Sequence, residues 1–132
     1  MNMDYCLSEL KALLSIDSPS GFTDKAADYL IGELTALGYA PEKTRKGGVF
    51  CCLGGEGSPL VLMAHVDTLG GMISTIKPNG RITITPIGGL RAENCEAENC
   101  RIYSRFSGDY SGTLQLCNAS IHETAPTVKS CA

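Results

Sequence analysis

Leu7, Leu10, Leu13 and Leu14 recur at helical spacing near the start of the chain, which predicts a first amphipathic helix. Asn2 or Asp4 can cap its start. Pro19 disfavours helical geometry at the residue before it, so the helix should stop near Ser15 to Ser18. Ser18-Pro19-Ser20-Gly21 then forms a turn. A second stripe, Ala26, Ala27, Leu30, Ile31, Leu34 and Leu37, predicts another helix with Thr23 as its cap. Gly38 follows where a left-handed C-cap is favoured. Each apolar stripe calls for a further layer to cover it.

After Pro41 the period changes. Val49 to Leu53 reads as a strand, followed by a turn at Gly54, Gly55 and Gly57. Leu60-Val61-Leu62-Met63-Ala64 is an unbroken apolar run, which predicts a strand buried on both faces. Two helices followed by such strands predict an α/β layered fold. From Gly70 onward the helical signals vanish. Met72 to Ile76, the turn Pro78-Asn79-Gly80, and Arg81 to Thr85 read as a hairpin. Ile82, Ile84 and Pro86 should share one face, with Thr83 and Thr85 on the other. Further strands are expected at Cys100 to Arg105 and Tyr110 to Leu116, separated by Ser107-Gly108-Asp109. The change near residue 70 sets the expected domain boundary, giving 1–69 and 70–132.

Composition narrows the function classes. The 132 residues suffice for a core without covalent staples, and 43% are hydrophobic. A net charge of −3 with 6% aromatics excludes a polybasic or base-stacking nucleic-acid binder. The longest apolar run, Leu60 to Ala64, is far short of the roughly 20 residues that span a bilayer. Met1-Asn2-Met3-Asp4 lacks the positive n-region of a secretory signal. The 7 cysteines, an odd number without a C-x-x-C pair, fit reduced thiols in a cytoplasmic protein. Cys95 and Cys100 form the one weak candidate pair for a disulfide or a metal.

The strongest chemical signal is Ala64-His65-Val66-Asp67, where the apolar run ends. Ligands of open α/β sheets bind outside the carboxyl ends of strands. A neutral imidazole suits zinc or cobalt, and such ligands usually donate their other ring N–H to a carboxylate. Two residues of separation place His65 and Asp67 on one side of an extended chain, so Asp67 can orient His65 directly. Glu93, Glu96, Glu98 and His122 are ligand types without a metal-site spacing, and Arg91 to Glu98 reads as a solvated loop. Tyr110-Ser111-Gly112 reads as strand and turn, with no base to activate a nucleophile. Gly54-Gly55-Glu56-Gly57 lacks the lysine of a phosphate loop. No facing carboxylate pair supports glycoside hydrolysis.

Several blocks occur in a fixed order: Ser18-Pro19-Ser20-Gly21, Thr44-Arg45-Lys46-Gly47-Gly48, Leu62 through Ile73 with its Ala64-His65-Val66-Asp67, Gly80-Arg81-Ile82 and Thr85-Pro86-Ile87-Gly88-Gly89. From about Leu7 to His122 this series resembles the cocatalytic metallo-aminopeptidases that include glutamyl, deblocking and tetrahedral aminopeptidases, some labelled endoglucanases. The resemblance implies a partial catalytic sandwich over 1–69 followed by a β-rich, barrel-like dimerisation domain over 70–132. It implies two divalent metal ions, zinc or cobalt, in the intact enzyme, with a peptide as substrate. His65 corresponds to a metal ligand, and Asp67 to the carboxylate that supports it in catalysis. It also implies a large homo-oligomer, while the composition and the short apolar runs leave neither nucleic acid nor membrane as an expected partner.

The family's remaining ligands and its catalytic glutamate follow the inserted domain, whereas this sequence stops at Ala132. The expectation is therefore a fragment with at most one partial metal site, inactive by itself. The alternative is a non-catalytic β-rich module for oligomerisation or interaction, since uncovered helix faces and sheet edges favour association.

Overall fold

The structure, a computed structural model, describes residues 2–115. His122, Cys117, Cys131 and the end of the strand expected to reach Leu116 lie outside the described residues. Helices and small antiparallel sheets make a mixed α/β chain, which divides into two compact units at Leu69/Gly70.

Helix α1 spans Met3–Leu14 and helix α2 spans Asp24–Ala36. Asn2 caps α1, its Oδ1 accepting the Tyr5 N–H at 3.2 Å, while Asp4 and Lys11 complement the two ends of the helix dipole. Ser15 closes the helix through its N–H to Lys11 O. Thr23 occupies the N-cap position of α2 without a side-chain capping bond. Gly38, at φ +88°, leaves the helix through the left-handed region that glycine adopts at low cost. The phenol of Tyr29 in α2 donates to Glu9 Oε2 of α1 at 2.6 Å. Ala26 and Ala27 are buried, whereas Leu7, Leu10 and Leu14 of α1 stand exposed, so the expected covering of that stripe is not met among the described residues.

Two short strands, β1 (Glu42–Lys43) and β2 (Val49–Phe50), pair antiparallel, and α2 lies against both. Their turn is closed by Thr44 N–H to Gly48 O at 2.7 Å and by Gly48 N–H to Thr44 Oγ1 at 3.0 Å. Lys43 reaches Asp24 and Asp28 of α2 at 2.9 and 3.0 Å. Strand β2 is shorter than the expected Val49 to Leu53.

The largest departure from expectation is Leu60–Ala64. This run is irregular rather than strand, and Leu60, Val61, Leu62 and Met63 are 70–90% exposed. A doubly buried strand needs a ladder on either side and a layer on either face, and no described strand flanks this run. The sole parallel pairing among the described residues is the isolated Pro19–Thr68 bridge.

In the second unit, β3 (Gly70–Ile76) and β4 (Ile82–Ile87) form a hairpin from Gly70↔Ile87 to Ile76↔Ile82. Gly80, at φ +81°, ends the turn, its N–H bonded to Lys77 O at 2.9 Å. A register shift between Ile73 and Thr75 sets Ser74 aside from the ladder, and its hydroxyl donates to Thr83 O. Gly71 has no room for a Cβ, because the Ile84 side chain occupies that position. Strands β5 (Asn99–Tyr103) and β6 (Asp109–Thr113) form a second hairpin. Between the hairpins, Ala92–Asn94 makes a single 3-10 turn within the stretch expected to be a loop. Cys95 and Cys100 are free thiols, as are Cys6, Cys51 and Cys52, so the candidate disulfide is not formed.

Candidate functional site

The turn after α1 and the segment before Gly70 are buttoned together by their backbones. Thr68 N–H donates to Ser18 O at 2.8 Å, and Ser20 N–H donates to Thr68 O at 3.2 Å. The hydroxyl of Ser18, only 2% exposed, donates to Val66 O at 2.7 Å. Pro19, with its fixed φ, sits between these two serines and carries the parallel bridge to Thr68. His65-Val66-Asp67 is thus held by a short loop 47 residues away in sequence, although no sheet among the described residues includes it.

Within this buckle Asp67 uses both carboxylate oxygens. Oδ2 accepts from the Ser20 hydroxyl at 2.5 Å, and Oδ1 lies 3.1 Å from His65 Nδ1. The same Nδ1 is 3.1 Å from the Asp67 carbonyl oxygen. The Ser20 hydroxyl bond, and after it the His65 bond, hold the Asp67 carboxyl below its ordinary value, so it is ionised at neutral pH. A carboxylate and a carbonyl can only accept, which requires Nδ1 to carry the proton. The lone pair of a neutral His65 is then on Nε2.

Nε2 has no hydrogen-bond partner among the described residues, and the His65 side chain is 85% exposed. An imidazole with Nδ1–H on a carboxylate and Nε2 unpaired is one of the forms in which histidine binds divalent metals. The donor chemistry of this pair therefore fits a metal ligand and its supporting carboxylate. Among the described residues no three His, Cys, Asp or Glu side chains gather to enclose an ion.

The other sequence candidates do not join this pair. Glu93 and Glu98 are exposed around the 3-10 turn, and Ser111 pairs with Arg101 in the β5–β6 hairpin. The sequence assigns Ser20 only to the Ser18-Pro19-Ser20-Gly21 turn. A hydroxyl flanking a proline turn marks a local bend, and nothing in its spacing names a carboxylate 47 residues further on. No helix among the described residues is long and apolar enough to cross a membrane.

Comparison with known proteins supplies a family. Residues 47–131 match the profile described as M42 glutamyl aminopeptidase. Over 115 residues the chain is 36% identical to a Bacillus subtilis (strain 168) protein named "Putative aminopeptidase YhfE", covering 86% of this chain and 33% of that protein. Over 100 residues it is 38% identical to the glutamyl aminopeptidase of Lactococcus lactis subsp. cremoris (strain MG1363), covering 74% of this chain and 28% of that protein. The chain thus spans about a third of the length of these curated relatives. The matched region contains the His65–Asp67 pair, and on this match the chain belongs to the M42 glutamyl aminopeptidase family.

Proposed function

We propose that the chain contributes one edge of a divalent-metal centre that removes amino-terminal residues from peptides, with His65 as a metal ligand through Nε2 and Asp67 as its supporting carboxylate. The observation that carries this reading is the shared Asp67 carboxylate, which fixes the proton on His65 Nδ1 and leaves Nε2 unpaired among the described residues. Zinc or cobalt bound there would act as a Lewis acid toward a peptide carbonyl and lower the pKa of bound water. His65 would hold the ion, and Asp67 would keep the imidazole in its ligating tautomer and raise its basicity.

One imidazole does not make a hydrolytic site, since such zinc centres ordinarily take three protein ligands. With no further cluster among the described residues, the remaining ligands and the proton-transferring glutamate come from outside them. In this reading the chain is inactive by itself, the described residues holding too few ligands for a hydrolytic centre, and the β-rich unit from Gly70 onward serves assembly into a homo-oligomer. The free thiols are consistent with a reducing, cytoplasmic setting.

A chimera tests the whole reading. The aligned segment of the Bacillus subtilis relative is replaced by this chain, and hydrolysis of amino-acid anilides is followed with added cobalt or zinc. Metal-dependent turnover that disappears with His65→Ala is expected. A folded, active chimera indifferent to His65→Ala contradicts the assignment.

The exposed run from Leu60 to Met63 favours a second reading, a non-catalytic interaction module. Light scattering showing oligomers of the 132-residue chain, with no zinc response at the His65 ring, would support it.

A further inference from the structure

We infer that Ser20 is a positioning residue for His65, acting through the Asp67 carboxylate; as a role in metal binding this rests on the reading just given. Asp67 is 43% exposed in its side chain and, held by the histidine alone, would be free to rotate and exchange its partner for water. The Ser20 hydroxyl removes that freedom by engaging Oδ2, which presents Oδ1 to Nδ1 of the imidazole.

The hydroxyl is itself well anchored. The backbone N–H of Ser20 donates to Thr68 O, one residue beyond Asp67, and Pro19 restricts the backbone preceding it. Donor, carboxylate and imidazole form a chain whose far end is the free Nε2. Ser18 has a different part in the same turn, because its hydroxyl reaches the Val66 backbone and not the carboxylate. The two serines therefore separate two effects: Ser18 fastens the segment, and Ser20 aims the acid.

The test reads the His65 ring nitrogens by 15N NMR in the 132-residue chain, first without metal and then with zinc. A ring signal is specific to one residue, so zinc taken up by the thiols does not enter the measurement. In the unaltered chain at neutral to mildly alkaline pH, the Nδ1–H tautomer is expected to dominate. Ser20→Ala is expected to reduce that preference, the Asp67 carbonyl remaining as an acceptor, and to weaken the zinc response on the order of tenfold, the low end for loss of a group supporting a metal ligand. Ser20→Thr is expected to retain both properties, and Ser18→Ala to retain the tautomer. Where Ser20→Ala loses amide dispersion, the near-isosteric pair Ser20→Thr and Ser20→Val decides, since the two differ by the hydroxyl alone.

An unchanged tautomer in Ser20→Ala, or an equal loss in Ser18→Ala, overturns the inference. A ring whose tautomer follows Ser20 but which ignores zinc retains the positioning role and removes the metal reading. A ring that takes zinc regardless of Ser20 does the reverse.

Discussion

Asp67 carries more of the chemistry than its place in a three-residue motif suggests, because its two oxygens serve different partners. Asp67→Asn keeps the shape but removes the carboxylate charge and turns one of its two acceptors into an amide donor, so the hold on Nδ1–H weakens to neutral acceptors, the backbone carbonyl among them. We predict that zinc binding at the His65 ring falls about 10- to 100-fold in this variant, measured by the same ring signals. A second pair is equally local. The Glu9 carboxylate accepts from the Tyr29 phenol and, ahead of burial and the neighbouring charges, pushes its pKa up to about 12. A raised value means that this contact stabilises the fold fully below the ordinary phenol value near 10 and loses its effect as pH rises through about 12. Glu9→Gln should return the Tyr29 midpoint toward 10, followed by 13C NMR of the phenolic carbon. At this scale His65 and Asp67 were legible as a histidine and an acid two positions apart at the end of an apolar run. Ser20 was not, since a contact 47 residues apart depends on how the chain folds back.

Elements declare themselves where a period repeats. Helices α1 and α2 follow their leucine and alanine stripes, and β3 with β4 follow their alternation about Pro78-Asn79-Gly80. Strand β1 leaves no such trace, since Glu42–Lys43 is two polar residues held by its pairing with β2 and by the Lys43 ion pairs. Leu60–Ala64 fails in the opposite direction: an apolar run states which surroundings it needs, and the described residues do not provide them. Its amides have no backbone acceptors among the described residues, so hydrogen exchange there should be fast, and slow exchange would show that a ladder forms. Two substitutions test the elements that were found. Asn2→Ala should cost about 1 kcal/mol through loss of the α1 cap, measured by denaturant unfolding. Gly71→Val drives a side chain into Ile84 and should destabilise the β3–β4 hairpin by about 1–3 kcal/mol. Adding Ile84→Ala should recover part of that loss, which double-mutant analysis of unfolding would detect.

At the scale of the whole molecule, composition and period together indicated a mixed α/β chain, and the ordered motifs indicated its family. The sheet in which Leu60–Ala64 was expected to be a buried strand is not found among the described residues, whose strands pair as three two-stranded antiparallel sheets. What the chain does provide is a buckle in which two serines and a proline bring a carboxylate to an imidazole. Its proposed use, as one ligand of a shared hydrolytic centre, stands or falls on the free ring nitrogen. The most direct measurement is therefore a zinc titration of the 15N-labelled chain observed at His65. We predict a protonated Nδ1 before metal is added, and a Nε2 resonance that moves with zinc while Nδ1 keeps its proton. A protonated Nε2 that zinc leaves unmoved would contradict the account.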